Sequence, residues 1–248
     1  MSSSPTAPTS TTGSSTCSPS PADRSARLAV IACGAIAQPC AEVVARRGWD
    51  VDVVPLPPLL HNAPGRIAGE VERLAVELRS TYARVAVGYT DCGTYGALDE
   101  VCARLGLARL PGLHCYDLYA GPARIQAMFE DQPGTYLLTD FLVRSFTRSV
   151  VAELGLDRHP ELLEDYFGNY TSVVWLAQKP DDELRVLAQE CADFLGLPLR
   201  TVETGHLGLE RALATLVELT GRQAADLSAP ARNGRDTDAA TPPSPPPG

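Results

Sequence analysis

Three cysteines, Cys33, Cys92 and Cys115, stand at or just after the ends of apolar runs typical of β-strands. A thiolate is both a nucleophile and a ligand for soft metals, so each side chain could serve catalysis or metal binding. For any one of them alone, a buried core cysteine is the simpler explanation. Equivalent positions after three strands favour a shared site, because open α/β sheets bind their ligands at the carboxyl ends of parallel strands.

Two histidines accompany these cysteines: His61 follows a fourth apolar run, and His114 directly precedes Cys115. Each could equally be a solvated loop residue. Three thiolates with one imidazole form a ligand set typical of tetrahedral zinc, or of an iron–sulfur cluster with one non-cysteine ligand. We therefore predict a zinc or iron site built from Cys33, Cys92 and Cys115, with His61 or His114 as a further ligand. Ligands scattered along the chain favour a catalytic site over a structural knuckle.

Small and aromatic residues beside the cysteines are predicted to contact a cofactor. Gly34 and Gly93 each follow a cysteine, and glycine lets the backbone turn sharply and approach a ligand closely. Tyr89 lies on the same predicted edge. A helix starting at either glycine would point backbone N–H groups at the thiol and lower its pKa.

Two carboxylates on this edge, Asp91 and Asp117, are candidates for catalysis. Either could act as a general base or orient a histidine ligand. Capping of a helix N-terminus is the alternative, and for Asp140, which precedes an apolar helical segment, it is the preferred interpretation.

Three other cysteines are predicted to lie in the hydrophobic core and not in a functional site. Cys40, Cys102 and Cys191 each share an apolar helical face with leucine, isoleucine or valine side chains. The sequence has no dinucleotide-binding glycine pattern, no phosphate-binding loop of the Walker type and no nucleophile elbow. Nucleotide-binding and serine-hydrolase functions are therefore disfavoured.

Composition narrows the class of protein further. The 248 residues are 44% hydrophobic and 21% charged, with a net charge of −9 and no cluster of basic residues, so nucleic acid is not an expected partner. No apolar run approaches the roughly 20 residues that span a bilayer. Seven cysteines, an odd number, and no visible secretory signal favour a reduced, cytoplasmic protein that acts on a small molecule.

Strand-like and helix-like segments alternate over residues 26–223, which predicts a single α/β domain. We expect a mostly parallel, Rossmann-like (doubly wound) sheet of seven strands flanked by helices, including a short fourth strand near residues 108–110. Residues 1–25 and 224–248 are rich in Ser, Thr, Pro and Ala and are predicted to be disordered tails, the first containing Cys17.

Five short segments also carry a resemblance: Ile31-Ala-Cys33-Gly34, Leu60-His61-Asn62-Ala-Pro64, Gly88-Tyr89-Thr-Asp-Cys92-Gly93, His114-Cys115 and Pro133-Gly134-Thr135-Tyr136-Leu-Leu-Thr139. With them the chain resembles the family catalogued as domain of unknown function 1638 over most of its ordered region. It departs from the commoner family pattern Arg-x-His-Asp-Cys, which here is Gly112-Leu-His114-Cys115. The resemblance implies an association with corrinoid-dependent methyltransferase systems.

Three functions stay open at this point. The leading hypothesis is a metal-dependent enzyme that activates a small substrate, with methyl or one-carbon transfer as the reaction. The second is a metal-free thiol enzyme with Cys92 or Cys115 as nucleophile and His114 as base. The third is a non-catalytic protein that carries a corrinoid or a metal for a partner.

Overall fold

Strands and helices alternate along the described chain, as the sequence predicts. The computed structural model describes residues 27–228, with side chains up to residue 223. The predicted first tail, with Cys17, lies outside the described residues. The predicted second tail lies outside them from residue 229, and residues 224–228 continue the last helix.

Six strands form two separate sheets, and every strand pair is parallel. The first sheet has the order β2-β1-β3 and the second β4-β5-β6. The predicted α/β class with parallel strands is confirmed, with the strands divided between two sheets. The expected strand near residues 108–110 is only an isolated bridge between Arg109 and Val87. The strands are β1 (Leu28–Ala32), β2 (Val51–Pro55), β3 (Arg84–Gly88), β4 (Thr135–Thr139), β5 (Ser172–Ala177) and β6 (Leu199–Glu203).

Helices connect the strands and cover the sheets. They are α1 (Ala37–Arg47), α2 (Ile67–Leu78), α3 (Ala97–Leu105), α4 (Cys115–Ala120), α5 (Pro122–Asp131), α6 (Asp140–Phe146), α7 (Leu163–Phe167), α8 (Asp182–Leu195) and α9 (Leu207–Ser228). Short 3-10 turns occupy Pro58–Asn62, Pro64–Arg66 and Pro160–Leu162, and α6 continues as a π-helix over Thr147–Ala152.

Each sheet has its own apolar core. All five residues of β1 and all six of β5 are buried, as expected for central parallel strands covered on both faces. The last helix, α9, packs against α1, α4 and β3, and so belongs to the first half of the molecule. Cys40, Cys102 and Cys191 are buried in these cores, which confirms their predicted role.

Helix ends follow the local sequence. Gly48 ends α1 in the left-handed conformation, with φ +63°, which is typical of a glycine after the last turn of a helix. Within residues 27–228, no helix combines the length and the apolar character needed to cross a bilayer.

Candidate active site at the strand ends

Cys33 and His61 are held together by a close approach of two backbone segments. Cys33 follows β1, and its N–H donates to the Gly88 carbonyl of the neighbouring strand β3. At Gly34 an added Cβ would lie 2.6 Å from the backbone nitrogen of Pro58. Pro58 begins the 3-10 turn that carries His61. The absence of a side chain at Gly34 therefore lets this turn reach the end of β1.

The side chains of Cys33 and His61 are in contact. The Cys33 Sγ lies 3.5 Å from Nδ1 of His61. Tyr89, at the end of β3, stacks its ring on His61 with the ring centroids 6.0 Å apart. Tyr89 is fully buried, and its hydroxyl has no partner of hydrogen-bonding geometry among the described residues, although the Cys33 thiol interacts with it. The predicted grouping of Cys33, His61 and Tyr89 is thus present.

Cys92 lies in the loop after β3, in an unusual backbone conformation. Its φ is +49°, a value that few residues other than glycine adopt. Strained backbone of this kind concentrates at functional sites. The Cys92 N–H donates to the carbonyl of Leu113 at 2.8 Å, which brings this loop beside the start of α4 and beside Cys115. The Cys92 Sγ lies 2.9 Å from Oγ1 of Thr90.

Asp91 organises the same loop. Its carboxylate accepts hydrogen bonds from the Thr94 hydroxyl at 2.6 Å and from the backbone N–H groups of Tyr95 and Gly96. These bonds lower the pKa of the carboxyl against the opposing effect of burial. Gly93 has φ +82°, and an added Cβ would lie 3.5 Å from Pro64. Both residues shape the loop that presents Cys92.

Asp117 plays a comparable part for Cys115. Its carboxylate accepts the backbone N–H groups of Leu113 and His114 just before α4. The His114 ring is exposed and lies 6.2 Å from the ring of Tyr116. Of the two predicted histidines, His61 is the one in contact with a cysteine.

Electrostatic coupling joins the three cysteines. Burial raises the pKa of the Cys33 thiol to about 12, and a charge on Cys92 would raise it further. Burial also raises the pKa of Cys115, with the charges of Cys92 and Cys33 as the next causes. Cys33, Cys92 and Cys115 all raise the pKa of the Tyr89 phenol after burial has done so. The anionic forms of the three thiols thus affect one another's pKa values, while the convergence of the three thiols on one metal ion stays a prediction.

The expected lowering of the thiol pKa values is wrong. The helices that follow Cys33 and Cys92 begin only at Ala37 and Ala97. The backbone N–H groups of Ala35 and Ile36 do favour the Cys33 thiolate, but burial outweighs them. The pKa of Cys92 is likewise raised, mainly by burial. Both thiols are therefore protonated at neutral pH.

His61 has the opposite shift. Burial lowers its pKa, and the neighbouring charge of His114 lowers it further. His61 is therefore a neutral imidazole at neutral pH, the form that binds metals or accepts a proton. Among residues 27–223, no three His, Cys, Asp or Glu side chains are placed so that they would together hold a metal ion.

A cavity of about 520 Å³ opens beside these residues, between the two halves of the molecule. Its lining includes His61 and Cys115 from the first half and Tyr136, Thr139 and Phe141 from the second. This volume is in the usual range of small-molecule sites.

Some residues at this cleft were not predicted from the sequence. The N-cap of α6 is Thr139, whose hydroxyl accepts from Leu142, so the predicted capping by Asp140 is wrong. The Asp140 carboxylate instead accepts Nε1–H of Trp175 and two backbone N–H groups after β5. Arg148 on the π-helix also lines the cavity. The sequence does not show that this arginine lines a cavity, because arginine is common on the surface of amphipathic helices. In the structure, its position on a π-helical turn is informative, since such turns often occur at functional sites.

Comparison with known proteins gives one match, to the family model described as a protein of unknown function (DUF1638). The match covers residues 55–213, more than half of the chain, and contains His61, Cys92 and Cys115. No curated protein and no solved structure matches the chain. On the extent of the family match, the protein belongs to the DUF1638 family of proteins of unknown function.

Proposed function

We propose that this protein is a metal-dependent enzyme whose ion, zinc or iron, is bound by Cys33, Cys92, Cys115 and His61. The observation that carries the proposal is geometric: the Cys33 thiol contacts the His61 imidazole, and the loop of Cys92 is hydrogen-bonded to the segment that leads into Cys115. The thiolates of the three cysteines are disfavoured by burial and by mutual repulsion, and a bound cation relieves both effects. His61, neutral and 3.5 Å from Cys33, supplies the imidazole of the set.

The residues would have to close around the ion, because they do not form a metal-binding arrangement as they stand. Cys33 and His61 already touch. The loop of Cys92 and the start of α4 are tied to each other by the bonds from Asp91 and Cys92 to Gly112 and Leu113. Closure is therefore a movement of this paired segment toward Cys33. The deprotonation of each thiol that binding requires makes metal affinity rise with pH.

The proposed substrate is a small molecule held in the neighbouring cavity, which His61 and Cys115 line. When bound, the ion would lower the pKa of a thiol or a water and so supply a nucleophile at neutral pH. Methyl or one-carbon transfer, with a corrinoid or a methyltransferase as partner, is proposed on the family resemblance alone. A carrier of corrinoid or metal would bind its ligand without turnover, and the visible absorbance of protein from its native host would reveal the corrinoid.

The test is elemental analysis of the full chain purified without oxygen. We expect about one zinc, or a few irons, per chain, as for a site with three or four protein ligands. Cys33→Ser and Cys92→Ser should each lower the metal content several-fold. Cys191→Ala, which removes a cysteine from the second core, should leave it unchanged. A folded wild-type protein that neither contains metal nor takes up added zinc or iron would end the proposal.

Metal-free thiol chemistry is the second candidate, and the contact of Cys33 with His61 favours it. The imidazole that touches a thiol belongs to His61, not to the expected His114. If this candidate is right, one cysteine of the folded protein reacts with iodoacetamide at neutral pH much faster than the other cysteines do. Uniformly slow alkylation, the result that the raised pKa values favour, would leave this candidate without support.

A further inference from the structure

A second cavity, of about 440 Å³, adjoins the first along the boundary between the two halves. Three residues line both cavities: Ala35, Phe141 and Arg148. The two cavities therefore share this part of their walls and are together called the cleft; His61, which contacts Cys33, lines the first of them. A ligand in either cavity would have Arg148 at its wall.

Arg148 is a cation without an anionic partner. It is exposed on the π-helix and makes no ion pair with any described residue. The nearby Arg144, by contrast, pairs with Asp181 at 3.5 Å and with Glu183 at 3.7 Å. Lys179, which lines the second cavity, is also exposed, and no ion pair in residues 27–223 includes it.

Of the four carboxylates that line the two cavities, Asp181 is ion-paired, and the other three form no ion pair with a described residue. Asp140 accepts three N–H groups, and Asp181 caps α8 and pairs with Arg144. Glu42 accepts a hydrogen bond from Gln38 on the surface of α1. Glu153 is the remaining carboxylate of the first cavity, and it is exposed. Arg148 and Lys179 are therefore the lining cations that form no ion pair with a described carboxylate, whereas Arg144 pairs with Asp181 and Glu183.

His206 is a further polar residue at the wall of the same cleft. It lines the second cavity, and its Nδ1 is buried without a hydrogen-bond partner among the described residues. A buried polar atom with no partner costs free energy unless a ligand or a water satisfies it. The Nδ1 atom is enclosed and does not open onto the cavity, so a turn of the ring would be needed before a protonated Nδ1 donates a hydrogen bond to an anion.

We propose that the substrate carries a carboxylate or phosphate group that Arg148 binds in the cleft, with Lys179 and His206 as supporting contacts. This assignment rests on the proposed function, since it supplies the substrate class for the same site. The guanidinium offers two parallel N–H donors to such a group, the geometry that arginine uses for both anions. The substrate is then an anionic small molecule with its reacting end toward Cys115 and His61.

The experiment is calorimetric titration of the full chain with inorganic phosphate and, separately, with succinate, at low ionic strength. Wild type should bind at least one of the two probes. Arg148→Met should weaken that binding at least tenfold, and His206→Ala several-fold. Arg73→Met, which removes the same charge from the outer surface of α2, should bind like wild type. Tighter phosphate binding indicates a phosphate ester as substrate, and tighter succinate binding a carboxylate.

Two results would overturn the assignment: wild type that binds neither probe, or a folded Arg148→Met variant that binds as wild type does. The metal content of the same samples separates this outcome from failure of the metal proposal. If wild type and Arg148→Met both contain metal but neither binds an anion, the anion site alone is refuted. Anion binding by a protein that holds no metal refutes the metal site alone.

Discussion

The hydroxyl of Tyr89 tests whether a buried polar group stabilises the fold or is available to bind a ligand. It is buried beside the Cys33 thiol without a proper hydrogen-bond partner. Because it forms no bond that folding needs, Tyr89→Phe should leave the free energy of unfolding unchanged or raise it by up to about 1 kcal/mol. Urea unfolding of the metal-free protein measures this.

Tyr82 provides the matched control. Its hydroxyl donates to the Asp52 carboxylate at 3.0 Å, so Tyr82→Phe should cost about 1–2 kcal/mol. If Tyr89→Phe proved as destabilising as Tyr82→Phe, the Tyr89 hydroxyl would already form a stabilising hydrogen bond in the folded protein. It would then not be available to bind a ligand.

Which residues approach one another was partly readable from the sequence. Cys33 and Cys92 could be grouped because each follows a strand of the first sheet, and the end of a parallel strand fixes a place in space. The strand expected before Cys115 is only an isolated bridge at Arg109. The bonding of Asp91 and Asp117 to backbone N–H groups depends on loop conformations that no periodicity encodes. Asp140 is a similar case, since its partners lie at the end of another strand.

At the scale of elements, Gly34 controls the junction between the end of β1 and the 3-10 turn of His61. A methyl group there would overlap the backbone of Pro58, and neither segment can yield without moving β1 or β2. We expect Gly34→Ala to lower the free energy of unfolding by about 1–3 kcal/mol, as overpacking does. Chemical denaturation of the purified variant measures the loss.

Gly69 is the control for this substitution. It lies inside α2, and an added Cβ meets nothing within 4 Å. Gly69→Ala should therefore stabilise the protein by about 0.5–1 kcal/mol through helix propensity. Equal effects of the two substitutions would mean that the contact at Gly34 does not constrain the turn.

Elements with strong periodicity were predictable nearly to their ends. In α3 and in α8, apolar residues recur at helical spacing nearly from the first residue to the last. The short helices α4 and α7 were not predicted, because fewer than two turns show no repeat of apolar residues. The π-helix after α6 has no distinct sequence pattern either.

At the scale of the whole molecule, the buried thiols should make the protein sensitive to alkali. Burial holds the pKa of Cys33 and of Cys40 at about 12 in the folded protein, against about 8.5 for cysteine in an unfolded chain. The folded state therefore binds more protons than the unfolded state above about pH 8.5. The stability that these thiols contribute is complete below that pH and is lost as the pH rises toward 12.

The expected slope is about 1.4 kcal/mol per pH unit for each such thiol. Urea unfolding of the metal-free protein between pH 8 and pH 10.5 measures it, and Cys40→Ala should make the fall shallower. Val43→Ala removes a buried methyl pair from the same helix and should lower stability equally at every pH. A slope that Cys40→Ala leaves unchanged would contradict a buried, protonated thiol at this position.

The α/β class followed from alternating strand-like and helix-like segments, whereas the number of sheets did not. Apolar runs identify buried strands, but the sequence of a buried parallel strand does not show which other strand it pairs with. The sequence alone therefore left open that β4 pairs with β5 and not with a strand of the first half. The cleft between the halves, and with it the place of Arg148, depends on that pairing.

The division into two sheets has a mechanical consequence. No strand of one sheet pairs with a strand of the other in residues 27–228, so the width of the gap between them depends on side-chain packing and on the connecting segments. Widening or narrowing it would break no ladder of backbone hydrogen bonds. A few substitutions of packed side chains facing the gap are therefore enough to resize it for a larger or smaller guest, with both sheets intact.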